Sequence, residues 1–469
     1  MSHELNWISA KKLAKLFRSG KASPVEAAKA GLMQMAKRDG AVNAMSLIDE
    51  KTTLAMAKAS EKRWCKGEPL SPLDGVPALI KDILLVKGWP TLRGSKTVSR
   101  DQEWLQDAPS VARLREAGCV FMGMTTTPEF GWKGVTDSPL TGITRNPWNL
   151  EMTPGGSSGG SSAGLAAGYA PLALGTDGGG SIRIPASFAG IFGLKASFGR
   201  VPAWPLSPFG AVAHIGPMTR SVEDAALAMN ELAKPDARDW HSLPPDRQDY
   251  SKDLSKSVKG MVFAYSPKLG FDTNVDEDVA HLVKAAVGKL KKAGAKVVEI
   301  DPGFADPAPT FRIIWWLGVR AAFGALPPDK LDLLEPQLRD VFEQSKAITL
   351  DECLEATRQH GLLGSQMRQF MTGYDALLTP TLPITAFEAG QLQPGATLKE
   401  GKWVNWTPFT YPFNLTRQPA ASIPCGVAGN GLPVGLQVVG RMFEDAKVLR
   451  ICQAVEDALG SNKFRPKGF

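Results

Sequence analysis

The 469-residue chain has little of what marks a secreted, metal-bound or membrane-inserted protein. Cysteine is scarce: Cys65, Cys119, Cys353, Cys425 and Cys452 are odd in number, widely spaced and form no CxxC pair. That pattern argues against a disulfide frame or a zinc site and predicts reduced thiols in the cytoplasm. No uninterrupted apolar run reaches the roughly 18 residues of a membrane span. The first residues, Met1 to Trp7, lack the basic-then-apolar order of a secretory leader. The formal net charge is +7, yet Lys and Arg are scattered and no basic run is interleaved with aromatics. The excess therefore reads as solvated surface, and no nucleic-acid partner is expected. Histidine is also sparse, with only His3, His214, His241, His281 and His360. None sits in a G-x-S-x-G elbow. His281 reads as a helix position with a surface or packing role, and only His214 falls in a glycine-proline loop. A histidine base is not excluded, but nothing nominates one.

What the chain does have is glycine, 47 residues that cluster instead of spreading. Hydrophobic residues at 43% and charged residues at 22% are ordinary for a globular protein, so a core of this length needs no covalent staples. Ser23-Pro24-Val25-Glu26 carries a helix start, with a capping serine, a proline at the first position and a glutamate closing the box. Apolar residues then recur at helical spacing from Ala27 to Met45. Leu73 to Asp82 reads as a turn entering a short apolar strand. Asp107 to Gly123 reads as a helix followed by a strand at Cys119–Met122. A second alternation predicts a strand at Met261–Tyr265, a helix over Val275–Lys292 and a strand at Lys296–Ile300. Such alternation implies an α/β architecture with at least part of the sheet parallel. The polar stretch from Lys234 to Lys256 reads as a connection.

The densest glycine lies in Thr153-Pro154-Gly155-Gly156-Ser157-Ser158-Gly159-Gly160-Ser161-Ser162, followed by Gly175-Thr176-Asp177-Gly178-Gly179-Gly180-Ser181-Ile182-Arg183. A flexible linker would have this composition, but the intervening Ala163–Leu174 is small and apolar, as a buried helix and strand would be. A phosphate loop would need a lysine after its last glycine, and none follows. An acyl-transfer site fits better. Consecutive glycines before a serine free several N–H groups to point at one spot. Such donors hold the oxyanion of a carbonyl under attack, each worth about 2.7–4 kcal/mol. Gly178, Gly179 and Gly180 would form that hole, and Ser181 would be the nucleophile. Its base could be a lysine, if burial keeps the amine neutral.

The run from Thr153 to Lys195 resembles the amidase signature family. Gly75-Val76-Pro77 with Lys81-Asp82, Thr126 to Gly131, Tyr374 to Thr381, Phe413 to Thr416 and Gly431 to Gln437 are similar to the same family. The likeness spans nearly the whole chain and is weakest over about 234–371. It implies a single domain over 1–469, with a signature core at about 70–220 and a C-terminal core at about 372–456. The implied fold is α/β, a large mixed β-sheet sandwiched between layers of helices. The implied chemistry is a Ser-cisSer-Lys triad: Ser181 attacks, Ser157 relays the proton beside a cis peptide bond, and Lys81 is the neutral base. No metal or organic cofactor is implied. Ser158, Asp177 and Arg183 are expected to order the loop. Gly178 departs from the larger residue often found there in the family, and Ala196 stands where a proline is common.

The partner expected is a small-molecule amide, with no membrane; a homodimer is allowed. Trp315 and Trp316, with Phe311, Trp403 and Trp406, fall where the chain least follows the family. They are offered as an apolar substrate pocket, with core packing as the blander reading for most of them. Esters and carbamates pass through similar intermediates and are expected side substrates. The rivals are the glutaminase component of a glutamyl-tRNA amidotransferase (its A component), acting in a complex, and a non-enzymatic binding protein on the same fold.

Overall fold

Ser23 caps its helix as the sequence predicts. The computed structural model, which describes residues 5–395 and 403–469, shows a helix at Pro24–Val42 with the full capping box between Ser23 and Glu26. It stops short of Met45 because Asn43 turns left-handed and ends it. Met1 to Glu4, with His3, lie outside the described residues, as do residues 396–402. The described strands run in chain order as β1 Met45–Leu47, β2 Pro77–Lys81, β3 Val120–Thr125, β4 Asp137–Ser138, β5 Gly142–Ile143, β6 Leu172–Asp177, β7 Phe192–Lys195, β8 His214–Thr219, β9 Val262–Tyr265, β10 Lys296–Glu299, β11 Ala376–Pro380, β12 Ala420–Val427 and β13 Pro433–Gly440.

Eleven of these form one sheet in the order β1-β3-β2-β6-β8-β7-β12-β13-β11-β9-β10, and β4 pairs with β5 alone. The sheet is mixed. β2 runs parallel to β3 and β6, and β9 runs parallel to β10 and β11, while the strands between them are antiparallel. Two of the parallel pairs, β2–β3 and β9–β10, are joined by the helices expected from alternation, Pro109–Glu116 and Glu277–Lys292. Between residues 234 and 256 no helix or strand forms, in keeping with a connection.

Side chains alternate across the sheet with the period of a strand. Ala78, Ile80, Leu172, Leu174, Phe192, Leu194, Leu378 and Val438 face one core, built with the helices Val222–Leu232, Glu277–Lys292 and Asp445–Leu459. Leu79 and Ala173 face the other side, with the helices Pro24–Val42, Gly159–Ala166 and Arg183–Ala189. Farther along that side, Leu377 and Val439 meet an aromatic core shared with Ala308–Phe323, Pro336–Ser345 and Leu350–Phe370. Helices thus cover both faces of the sheet, and the parallel neighbours β2 and β6 end at the same edge.

Candidate active site

Lys81 is the last residue of β2, and Asp177 is the last of β6. In parallel strands both ends face the same edge, where loops leave the sheet. The Ser157-Ser158 turn crosses that edge before the helix Gly159–Ala166 begins. It packs tightly: a Cβ on Gly156 would lie 2.4 Å from the Val135 carbonyl oxygen, so only glycine fits. The Gly156–Ser157 peptide is cis.

The Lys81 ammonium position is fully buried. Its Nζ lies within hydrogen-bond distance of three hydroxyls, Ser157 Oγ at 2.7 Å, Thr176 Oγ1 at 2.7 Å and Ser158 Oγ at 2.9 Å. No carboxylate among the described residues pairs with it. Burial pushes its pKa well below the ordinary lysine value, and the Asp177 charge opposes this only in part. Burial of this kind favours the neutral amine. Ser158 also accepts from the Thr176 N–H at 3.2 Å and donates to the Thr176 carbonyl, while its own N–H reaches the Ser181 carbonyl at 3.1 Å. Ser158 therefore ties the two serine segments together. Thr176, to which sequence reasoning gives no role, is the third acceptor of the lysine. Its position next to Asp177 is the only signal that could single it out.

The loop after β6 is braced from inside. Asp177 and Arg183 form a fully buried ion pair, with Nε to Oδ2 and Nη2 to Oδ1 each at 2.9 Å. Burial would raise the Asp177 pKa, but Arg183, Lys195 and Asn414 hold it below the usual carboxylate range. Arg183 also donates to the Thr410 carbonyl, Gln437 and Asn414. Thr410, Asn414 and Gln437 have no part predicted from sequence; they come from more than 200 residues downstream. One expectation needs correction. Gly180 is not among the oxyanion donors, because its N–H points inward to Asp177 Oδ1 at 2.7 Å. Asp177 likewise takes the N–H of Ile182. The N–H groups of Gly178, Gly179 and Ser181 have no such internal acceptor among the described residues.

Ser157, Ser181, Thr176 and Gly178 line one cavity of about 300 Å³, walled by Phe130, Trp132, Phe209, Trp315 and Phe323. Trp315 stacks on Phe209 with ring centres 3.9 Å apart and donates its indole N–H to the Trp132 carbonyl at 3.0 Å. The helical region that carries Trp315 is pinned over the cavity by Glu335, which takes the Trp132 indole N–H and pairs with Lys133 at 3.1 Å. Trp316 does not line the cavity. It lies half-buried against the aromatic core, with the Arg312 guanidinium 5.7 Å from its ring. It points away because adjacent helix positions face different sides. Phe311 and Trp406 are core: Phe311 stacks between Trp315 and Tyr411, and Trp406 stacks on Phe188. The Trp403 side chain lies outside what is described.

His214 opens β8 instead of lying in a loop. It borders the cavity, but its Nδ1 is 2.8 Å from the Val212 carbonyl and its Nε2 is 3.4 Å from Lys195 Nζ. It bonds neither serine. Burial first, then the Lys195 charge, pushes its pKa well down. Among the described residues, no three His, Cys, Asp or Glu side chains cluster as a metal site would require. No described helix is long and apolar enough to cross a membrane.

A buried amine thus joins two serine segments beneath a glycine loop, and comparison with known proteins gives the class of enzyme. The amidase family profile matches residues 26–449. The chain is 36% identical to an acylamidase of Rhodococcus erythropolis, over 95% of this chain and 94% of that protein. It is 35% identical to the A component of the glutamyl-tRNA(Gln) amidotransferase of Myxococcus xanthus, over 95% of this chain and 96% of that protein. A solved bacterial aryl acylamidase of the amidase signature family superposes with a TM-score of 0.90, covering 98% of this chain and 99% of that one at 29% identity. The chain belongs to the amidase signature family. It is a hydrolase of non-peptide carbon–nitrogen bonds in amides.

Proposed function

We propose that the chain cleaves a carboxylic amide through an acyl-enzyme on Ser181, with Ser157 as proton relay and Lys81 as general base. The observation that carries this is the 2.7 Å contact from a buried, carboxylate-free Lys81 Nζ to Ser157 Oγ, in the cavity that also holds Ser181. Neutral Lys81 takes the Ser157 proton as Ser157 takes that of Ser181, and Ser181 Oγ bonds to the amide carbon. The oxyanion meets the N–H groups of Gly178, Gly179 and Ser181. Collapse expels the amine, which leaves with a proton returned by Lys81 through Ser157. Water then attacks the ester by the same route and frees the carboxylate. The chemistry asks nothing of a cofactor. The aromatic walls suit an aryl or alkyl amide, and the five unpaired cysteines suit a reducing compartment such as the cytoplasm.

A second reading, a glutaminase working inside a complex, is favoured by the run of amidotransferase A components at 32–35% identity. One experiment separates the readings. The purified chain is offered aliphatic, aryl and amino-acid amides together with esters and carbamates, and is labelled with a fluorophosphonate read by mass spectrometry. The proposal expects turnover by the chain alone and an adduct on Ser181 that is lost in Ser181→Ala. Lys81→Ala should slow acylation by at least about 10²–10⁴-fold. Near-normal turnover in Lys81→Ala would remove the lysine from its role.

A further inference from the structure

One charged group at the catalytic cavity has no place in that reaction. Arg93 borders the cavity of Ser157 and Ser181, and it also borders a neighbouring groove of about 370 Å³ whose lining includes Leu85, Thr91, Gln102, Trp104 and the exposed Glu103. Trp204 borders both as well, so Arg93 and Trp204 stand between the two. No hydrogen bond or ion pair engages the Arg93 guanidinium among the described residues. The side chain is half-buried, and burial works against its charge. A second donor lies beside it: the Trp104 indole N–H is buried without an acceptor.

The backbone holds Arg93 in place from two sides. Its φ is +58°, in the left-handed region that few residues other than glycine adopt. Asp82 accepts from the N–H of Leu92 at 2.8 Å and of Gly94 at 3.4 Å, wrapping the turn around a carboxylate. The Arg93 carbonyl takes the Phe130 N–H at 2.7 Å. Asp82 is a weak counter-charge, since its oxygens are spent on backbone donors and burial pushes its pKa up to about 7. The geometry also gives a side. Phe130, bonded to Arg93, precedes Gly131, where a Cβ would stand 3.1 Å from Ser157 Oγ. Trp315, by contrast, stands against Gly178 in the oxyanion loop. Arg93 is therefore on the side of Ser157, where the amine leaves.

We propose that Arg93 is a specificity-determining residue that binds a carboxylate on the amine half of the substrate, so that preferred substrates are N-acyl derivatives of aminocarboxylic acids. This rests on the acyl-enzyme reading, which assigns Ser157 to the leaving amine. An arginine is suited to the task because its fork matches a carboxylate with two parallel hydrogen bonds.

The test compares two pairs of amides on the whole chain: N-benzoyl-4-aminobutyrate against N-benzoylpentylamine, and succinic monoanilide against butyranilide. Arg93→Gly is the main variant, because the positive φ suits glycine and the fold should survive. It should lower the ratio of kcat/KM for the first pair, carboxylated over uncharged, by about 10-fold or more, mostly through KM. Arg93→Lys should restore part of that ratio, and the second pair should not follow Arg93. An unchanged first ratio, or a ratio that changes for the acyl-side pair instead, overturns the assignment. Fluorophosphonate labelling of Ser181 tells the failures apart. Labelling and turnover with an unmoved ratio defeat Arg93 alone, whereas no adduct and no turnover defeat the acyl-enzyme reading with it.

Discussion

The base role proposed for Lys81 asks for an uncharged amine, and three hydroxyls rather than a carboxylate surround it. A hydroxyl acceptor favours the ammonium form modestly, whereas a carboxylate would fix it. Thr176→Val removes one acceptor at nearly the same volume. The pKa of Lys81 should then fall further, so the acid limb of kcat/KM, where the lysine gains its proton, should move to lower pH. A rate profile over pH checks this; a limb that stays put or moves up would show that Thr176 does not tune the base. At this scale the motifs around Lys81, Ser157 and Ser181 were legible through family likeness. Thr176 was not, because a threonine at a strand end has no pattern until the lysine of another strand is placed against it.

The element that decides the site is the loop from Asp177 to Arg183. It turns inward on a buried ion pair, and that turn ties up the Gly180 N–H while leaving those of Gly178 and Gly179 without an internal acceptor among the described residues. Counting glycines could not show this, since each carries the same N–H and only the fold says where it points. Gly178 has a reason of its own. Its φ is not left-handed, but a Cβ would come within 2.8 Å of Trp315 Cζ3, so the indole occupies the room a larger residue would need. Gly178→Ala should cost about 1–3 kcal/mol of stability or tilt the loop and slow acylation. Adding Trp315→Leu should recover much of the loss in a thermal melt. Additive losses would mean the clash is not the cause.

For the whole molecule, burial of ionisable groups sets the dependence of stability on pH. Lys81, Lys195 and His214 are fully buried, and burial pushes their pKa values well below the ordinary ones. The unfolded chain then binds more protons than the folded one, so these groups add stability as pH rises and lose it as pH falls. Asp82, Glu335 and Glu456 act in the opposite sense, because burial raises them to about 7. Their contribution is present at low pH and is lost by about pH 7. Buried Cys119, Cys425 and Cys452 are pushed up and oppose the lysines only above the ordinary thiol range of about 8.5. Between about pH 7 and 8.5 the lysines act alone among these groups, since the histidine is neutral in both states above its ordinary pKa of about 6.5, and Tm should rise. A Tm that falls across that window would mean the buried amines are charged in the folded state.

The same scale separates what the chain states openly from what it hides. The helix at Pro24–Val42, the strand–helix–strand run from Val262 to Glu299 and the α/β class follow from period and capping, which are local properties. The roles proposed for Ser181, Ser157 and Lys81 come from motifs that resemble a known family, which are short enough to read in the sequence. Tertiary structure decided the rest: that Arg183 meets Gln437 across 254 positions, that Trp315 enters the cavity while Trp316 does not, and that Arg93 borders it with no side-chain partner among the described residues. These depend on where a side chain points after distant strands have paired. That direction is set by the packed sheet and helices, whereas a residue's own neighbours in sequence fix only the conformation of its backbone.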